Sequence, residues 1–215
     1  MRARLYRIAT ESFAQRGFEE TTLRDIARRA AVSPALLYRY FPSKRAIVLA
    51  LYDDLSRDFE REALAMPRGK WRDRFLFAVR ASLAALAPHR DSLVALIPLL
   101  VSRGEEGLFA PATAFSRQRV QAVFAAAVTG ATDVPRMADA VALGRVLYLA
   151  HLGVLLWWLL DRSPKQRATD RLLAIAARVL APIAFALRLA PMRLLVRELD
   201  AAANDALFAE GPSAA

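Results

Sequence analysis

Apolar residues recur every three or four positions along most of this 215-residue chain, a period typical of α-helices. No stretch shows the strict alternation of apolar and polar residues, bounded by turn residues, that indicates a β-strand. Hydrophobic residues make up 56% of the sequence, which is enough to build a core and excludes disorder caused by low hydrophobicity. The sequence therefore predicts an all-α fold.

The rare residue types exclude several kinds of site. The chain has no cysteine and two histidines, so disulfides, thiolate zinc sites and cysteine nucleophiles are excluded, and the histidines offer no metal-ligand spacing. We expect no cofactor, no metal site and no catalytic residue. The net charge of +10 favours a polyanion or an anionic membrane as partner.

Positive charge is concentrated at the N-terminus. Residues 1–45 hold ten of the basic and four of the acidic residues, a net +6 of the total +10. The remainder is richer in Ala, Leu and Val, which suggests two parts with different roles. We predict a first domain over 1–46, a second, helical domain over 47–210, and a disordered tail over 211–215.

The first domain contains the start and stop signals of three helices. Gly17 follows the first amphipathic segment and is expected to be a left-handed C-terminal cap. Thr22 and Asp25 have the spacing of a capping box that begins a second helix. Ser33 followed by Pro34 begins a third. A helix, a short helix, a tight turn and another short helix form a helix-turn-helix, whose last helix fits the ~12 Å major groove of DNA.

The residues in this region resemble the signature of the tetracycline-repressor (TetR) family over about residues 3–50. The matching positions are Gly17-Phe18, Thr21-Thr22, Ile26-Ala27, Ala30-Ala31-Val32-Ser33, Leu37-Tyr38-Arg39-Tyr40-Phe41 and Lys44. The resemblance implies a DNA-binding transcriptional regulator that acts as a homodimer on a palindromic operator in double-stranded DNA. Two departures stand out: Ala31 occupies the turn where the family usually has glycine, and Ala35-Leu36 replaces a small residue followed by threonine.

The resemblance also implies contacts with DNA, position by position. It places backbone phosphates against Thr22, Tyr38, Arg39, Tyr40 and Lys44. It places base edges against Arg24 and against the start of the third helix, which comprises Ser33, Pro34, Ala35 and Leu36. Leu36 cannot hydrogen-bond a base, so it would contact a thymine methyl or contribute shape. Leu37 and Phe41 are expected in the core.

Beyond Pro67 the periodicity and the breakers predict further helices, with kinks at Pro98 and Pro182. Their approximate bounds are 70–87, 91–103, 112–128, 135–161, 165–189 and 191–208. The helices near 135–161 and 165–189 carry apolar residues close to heptad spacing, and in the family the corresponding pair forms the dimer. The positions expected in that interface are Val141, Tyr148, Leu152, Leu155, Leu159, Leu172, Ala176, Leu180, Ile183 and Leu187.

Aromatic residues of the second domain are candidates for the lining of an apolar cavity. They are Trp71, Phe75, Phe109, Phe115, Phe124, Trp157 and Trp158, together with His151. Each is also explained by ordinary core packing. A small apolar or aromatic ligand bound there would release a repressor from its operator.

Three other interpretations compete with a ligand-released repressor. A membrane-associated protein would explain the apolar segments and the positive charge, but the run 146–160 has about fifteen residues where ~20 are needed. An enzyme would need a nucleotide, nucleophile or metal motif, and we find none. A DNA-binding dimer without a ligand is the third alternative, and the sequence contains nothing that excludes it. We expect a cytoplasmic protein that does not enter the membrane.

Overall fold

The computed structural model describes residues 1–208 and is helical, with no β-strand in that range. The expectation of an all-α fold is confirmed, while the tail predicted at 211–215 lies outside the described residues. The α-helices of the described part are α1 Arg2–Arg16, α2 Leu23–Arg29, α3 Pro34–Tyr40, α4 Lys44–Ala63, α5 Trp71–Leu86, α6 Arg90–Ala95, α7 Ile97–Leu100, α8 Ala114–Thr129, α9 Met137–Leu160, α10 Arg167–Ala186 and α11 Ala190–Ala203.

The described residues form two compact units. The first comprises Met1–Arg57 and Leu86–Arg117, and the second comprises Asp58–Ala85 and the chain from Gln118 onward. Each unit has a core of its own, described separately below. The division predicted from the sequence at residues 46 and 47 stays a prediction.

The predicted helix over 91–103 is wrong, because the structure has two short helices there. α6 ends at Ala95 and α7 begins at Ile97, and the chain leaves the helical conformation after Leu100. Pro98 has no N–H to continue the ladder and its ring clashes with a carbonyl one turn earlier. By contrast, α10 continues through Pro182 without a break.

The core of the first unit is made by the inward faces that the periodicity predicts. In α1 the buried residues include Leu5, Ile8 and Phe13, and Leu37 of α3 is fully buried. Helix α6 is tied to α1, because the Ser92 hydroxyl donates to the backbone carbonyl of Thr10 at 3.0 Å. This core fixes the position of the short helices that carry the candidate site.

The core of the second unit is aromatic. Phe124 of α8 is fully buried, and its ring centroid lies 5.9 Å from those of Phe59 and Phe75. Helix α11 packs against α9 through partly buried apolar residues and three ion pairs. Arg145 donates to Asp200 at 2.6 Å, which raises the pKa of that guanidinium. Arg197 donates to the buried Asp139 at 2.7 Å.

Helix α9 is longer than the apolar run suggests. It has 24 residues, and its mean hydropathy of 1.7 over an 18-residue window would allow it to cross a membrane by length and composition. The expectation that this segment is too short is therefore wrong. Leu147, Tyr148, His151 and Trp158 are nevertheless buried inside the second unit, as in the core helix of a water-soluble domain.

Three of the ten heptad positions predicted for the dimer interface are wrong, because the chain buries them itself, and the other seven stay a prediction. Tyr148, Leu159 and Leu187 are less than a tenth exposed within one chain, so they cannot meet a second copy. Ala176 and Leu180 pack against the same core. Of the predicted set, Val141 and Ile183 are exposed. A heptad repeat marks an apolar face but does not tell whether that face packs inside the chain or against a partner.

Candidate nucleic-acid interface

Both short helices of the helix-turn-helix begin with the caps predicted from the sequence. The Thr22 side chain accepts a hydrogen bond from the backbone N–H of Asp25 at 3.1 Å and donates its hydroxyl to the Asp25 carboxylate at 2.6 Å. The bond from Thr22 lowers the pKa of Asp25. The Ser33 side chain accepts from the N–H of Leu36 at 3.2 Å, with Pro34 at the first helical position. The Thr22 and Ser33 hydroxyls therefore hold the helix ends.

The turn between α2 and α3 contains a left-handed residue that is not glycine. Ala31 has φ of 49°, which crowds its Cβ against the following backbone and costs ~1–2 kcal/mol. The Arg4 guanidinium donates to the carbonyl of Ala30 at 2.9 Å, at the carbonyl end of α2, where a cation is favoured. Arg4 was not among the residues singled out from the sequence, because its partner lies 26 positions away.

The expected left-handed helical cap at Gly17 is wrong in detail. Its φ of 86° is positive but its ψ is 163°, so the residue is extended rather than left-handed helical. Its N–H still bonds the carbonyl of Phe13 at 2.8 Å. The chain then enters the 18–21 turn, where the Thr21 hydroxyl donates to the carbonyl of Gly17 at 2.7 Å.

Helix α3 presents one face to solvent and buries the other. Leu37 and Phe41 are in the core, as expected. The outward face contains Pro34, Ala35, Tyr38, Arg39 and Tyr40, with Leu36 half-buried at its edge. The two tyrosines are 47% and 37% exposed, so both rings are partly accessible from solvent.

The basic residues around this face differ in how they are partnered. Arg24 and Arg39 are exposed and have no carboxylate within ion-pair distance in the described part of the chain. Arg28 pairs with Asp25, and Arg29 pairs with Glu11 at 3.2 Å. A free guanidinium can bind a phosphate or fork onto guanine without first breaking an internal bond.

Lys44 is held in place by the loop before α2. Its ammonium donates to the carbonyl of Phe18 at 2.7 Å and to that of Glu19 at 3.3 Å. It also lies 4.3 Å from the centroid of the Phe18 ring. An ammonium has three donors, so one remains for a phosphate. Lys44 thus sits at the start of α4 as a fixed charge rather than a mobile one.

The candidate ligand residues of the second unit converge only in part. Trp71, Phe75, Phe124 and Trp158 are each at most 5% exposed, and the first three belong to one apolar cluster. Trp157 is 49% exposed although its neighbour Trp158 is buried, because adjacent residues of a helix point about 100° apart. Phe109 and Phe115 belong to the first unit. Their assignment to a ligand pocket stays a prediction.

His151 is the polar member of this cluster. It is 3% exposed, and its Nε2 lies 2.8 Å from the hydroxyl of the buried Ser82. Its ring lies 4.7 Å from that of Phe124. Burial lowers the pKa of His151 to about 3, so the imidazole is neutral at pH 7. Its Nδ1 is buried and has no hydrogen-bond partner among residues 1–208, which costs about 1–3 kcal/mol.

The Ser82 and His151 pair is not predictable from local sequence patterns, because the two residues are 69 positions apart. Among residues 1–208, no group of three or more histidine, aspartate or glutamate side chains is placed to hold a metal ion.

The part of the chain that contains the candidate interface is similar to known bacterial regulators. Residues 5–51 match the family model described as "Bacterial regulatory proteins, tetR family". A segment of 88 residues, 40% of this chain, is 33% identical to the HTH-type transcriptional regulator HbdR of Aromatoleum sp.. The match spans 38% of the length of that relative.

Solved structures resemble the chain over most of its length. A TetR transcriptional regulator from Nitrosomonas europaea superimposes with a TM-score of 0.62 at 22% identity, covering 84% of this chain and 98% of that one. FadR from Bacillus subtilis in complex with stearoyl-CoA also gives a TM-score of 0.62, at 14% identity, with coverages of 82% and 98%. At these identities the likeness concerns the fold.

Proposed function

This chain belongs to the TetR family of bacterial regulatory proteins, and we propose that it is a repressor, not an enzyme, which a small apolar ligand releases from a palindromic operator. The observation that carries the proposal is the exposed outward face of α3. This helix is held in place by the Ser33 cap, by the bond from Arg4 to the turn and by the buried Leu37. A cytoplasmic location follows from a role on chromosomal DNA.

The proposed contacts divide between base edges and phosphates. The exposed Pro34 and Ala35 are small enough for the start of α3 to approach base edges closely. Tyr38, Arg39 and Tyr40 lie on the same face and would bind phosphates, as would the remaining donor of Lys44. Thr22 would lie close to a phosphate at the start of α2. Its hydroxyl is not available to bind that phosphate, because it donates to Asp25.

Selection of bound duplexes from a random DNA pool at ~150 mM salt tests this assignment, because non-specific binding is largely suppressed there. We expect an enriched palindrome with half-sites about one helical turn, ~34 Å, apart. Absence of enrichment would contradict sequence-specific binding by the chain alone.

Two substitutions test the phosphate contacts on the selected duplex. Arg39→Ala and Lys44→Ala should each weaken binding to all sequences and lower the slope of log K against log salt by about one. Arg80→Ala is the matched control, because Arg80 is an exposed arginine of the second unit. Equal slopes for all three variants and the parent would remove Arg39 and Lys44 from the interface.

Dimerisation is proposed through an uncharged row on α9 and α10. On α9 the row comprises Ala150, Gly153, Trp157 and Leu160, all exposed, and a Cβ added at Gly153 would meet open space. On α10 the exposed Ile175, Val179 and Ile183 recur at four-residue spacing. Small residues let two helices approach closely, and a large exposed apolar face is typical of an interface.

Sedimentation equilibrium tests the proposed dimer. Trp157→Glu and Val179→Glu should shift the protein from dimer to monomer at micromolar concentration, because each would bury an unpaired carboxylate in the interface. Leu64→Glu is the control, since Leu64 is 83% exposed outside α9 and α10. A dimer unchanged by both interface substitutions would contradict this choice of face.

The ligand is proposed to bind beside the aromatic cluster around Phe124. The unpartnered Nδ1 of His151 supports a ligand that is apolar and carries one hydrogen-bonding group, because such a group would satisfy the buried nitrogen. The related fold of FadR was solved with stearoyl-CoA, an occupant with a long apolar part. A ligand acts on DNA binding only through its different affinities for the two conformations.

A screen of small apolar compounds by melting temperature, followed by operator binding, tests ligand release. Compounds that raise the melting temperature through this site should weaken operator binding, and His151→Phe should reduce both effects. If every stabilising compound left operator affinity unchanged, the chain would be a DNA-binding dimer without ligand control.

A further inference from the structure

The second unit has a surface cleft of about 610 Å³, which shares Trp71 and Leu187 with the apolar cluster that contains Phe124. The cleft is formed by the start of α5, the loop before α9, and the segment that joins α10 to α11. Its apolar lining comprises Trp71, Val134, Pro135, Ala181, Ala184, Phe185 and Leu187. This lining gives the cleft a floor on which an apolar group can lose its water.

The polar lining of the cleft is strongly positive. It contains five basic residues, Lys70, Arg72, Arg136, Arg188 and Arg193, against one carboxylate, Asp133. That carboxylate accepts a hydrogen bond from the backbone N–H of Trp71 at 2.8 Å and so caps α5. The charge of the lining therefore attracts an anion, and its one acidic group already has a structural partner.

The five cations are partnered to different degrees. Arg193 lies 3.6 Å from Asp139 and donates to the carbonyl of Arg188 at 2.6 Å. Arg72 lies 3.5 Å from Asp73. For Lys70, Arg136 and the guanidinium of Arg188, the described residues provide no carboxylate within ion-pair distance. These three charges are available to a ligand without breaking an internal ion pair.

The helix ends add to the positive potential. Helices α5, α9 and α11 all begin beside this cleft, and neither α9 nor α11 has a side-chain cap for its first N–H groups. A helix N-terminus favours negative charge because its first N–H groups have no partner within the helix. The helix N-termini and the basic side chains thus both favour a negatively charged ligand.

We propose that this cleft binds an amphipathic organic anion, with a phosphate or carboxylate head held by Lys70, Arg136 and Arg188 and an apolar tail lying against the Trp71 and Phe185 side. A ligand that is only apolar or only charged would match just one part of the lining. A purely apolar compound would leave the cations without a partner, and a small inorganic anion would leave the apolar floor in water. Trp71 is a candidate residue of both this cleft and the ligand site proposed above, but the basic side chains belong to the cleft alone, so the two proposals are tested separately.

Titration calorimetry with octyl phosphate, below its micelle concentration, tests the proposal on the full chain. Octanol keeps the tail without the charge, and inorganic phosphate keeps the head without the tail. Both should bind at least about tenfold more weakly than octyl phosphate, since each loses either the charge-assisted hydrogen bonds or the apolar contact. Octanoate then distinguishes a carboxylate site from a phosphate site.

Substitutions at the cleft locate the binding. Arg136→Gln and Arg188→Gln remove exposed charges without touching the core, and each should raise the Kd for octyl phosphate about fivefold. Arg162→Gln is the matched control, because Arg162 is an exposed arginine just before α10 and outside the lining of the cleft. Its Kd should stay within about twofold of the parent value.

Two results would overturn the proposal. Octanol binding as tightly as octyl phosphate would mean that the site does not recognise an anion. A double variant of Arg136 and Arg188 with the parent Kd would place the anion elsewhere, including in the aromatic cluster. Operator binding enters neither result, so failure of this proposal is distinguishable from failure of the proposed repressor function.

Discussion

The helix-turn-helix and the helices α9–α11 are both made of amphipathic segments, but the helix caps of the first and the ion pairs between α9 and α11 join residues at very different distances along the chain. In the helix-turn-helix, Thr22 pairs with Asp25, and Ser33 with the N–H of Leu36, three positions apart. In the second region, Arg145 pairs with Asp200 and Arg197 with Asp139, 55 and 58 positions apart.

This difference separates what local chemistry determines from what packing determines. A helix cap needs a suitable residue within one turn of the helix start, so it can be recognised from a few consecutive residues. An ion pair between α9 and α11 exists only because apolar faces bring the two helices together. We therefore expect the second region to depend more on long-range burial, and the first to depend more on backbone conformation and free surface charge.

Removal of the central aromatic ring should have the largest effect on stability. Phe124→Ala deletes a fully buried ring that contacts residues from three other parts of the chain, and such truncations cost ~3–5 kcal/mol of unfolding free energy. Urea unfolding followed by circular dichroism measures it. Phe115→Ala on the same helix is the control, because Phe115 is 37% exposed. A loss below ~1.5 kcal/mol for Phe124→Ala would mean that the cluster repacks.

The buried imidazole should make stability depend on pH. Because burial lowers the pKa of His151 to about 3, the unfolded chain, with an ordinary pKa near ~6.5, binds the proton first as the pH falls. Stability is therefore full above about pH 6.5 and is lost progressively down to about pH 3, by roughly 2–3 kcal/mol at pH 4.5.

Unfolding at pH 7 and pH 4.5, at one protein concentration, isolates this contribution. His151→Gln should lose less stability between the two pH values than the parent does, by roughly the same 2–3 kcal/mol. His89→Gln replaces the other histidine of the chain and should keep the parent's pH dependence. An unchanged pH dependence in His151→Gln would show that the imidazole is accessible to protons in the folded state.

The sequence was informative where structure depends on neighbours along the chain. The caps at Thr22 and Ser33, the inward face of α1 and the buried Leu37 were all predicted from local patterns. The extended ψ of Gly17 was not, because a glycine after a helix permits several backbone conformations at similar energy. The aromatic cluster and the His151–Ser82 pair could not be predicted, because their members come from distant segments.

The proposed dimer face is a second case in which local sequence patterns are not sufficient. Apolar periodicity identified α9 and α10 as amphipathic or apolar helices, yet it selected positions such as Tyr148 and Leu187 that the chain buries itself. Both faces of α10 carry apolar residues, so periodicity finds two candidates. Which of the two faces of α10 stays exposed depends on how the rest of the second unit packs.

Relief of backbone strain in the turn should have a smaller effect, of the opposite sign. Ala31 has a positive φ, where glycine has no Cβ to crowd, so Ala31→Gly should raise the unfolding free energy by about 1 kcal/mol. Ala35→Gly is the matched control, since Ala35 is exposed inside α3 and glycine in a helix costs about 1 kcal/mol. Two losses of equal size would contradict strain at Ala31.

Arg24→Ala should have the smallest effect on the free energy of unfolding and the most selective effect on DNA binding. Arg24 is exposed and makes no ion pair with residues 1–208, so Arg24→Ala should change stability by less than ~0.5 kcal/mol while relaxing the preference at one base position by ~1–3 kcal/mol. Arg4→Ala is the informative partner, because Arg4 donates to the carbonyl of Ala30 at the turn. It should lower stability and weaken binding to all sequences together, since a displaced α3 loses phosphate and base contacts alike. Equal losses on selected and random duplexes for Arg24→Ala would exclude it from base recognition, and the first region would then read DNA through α3 alone.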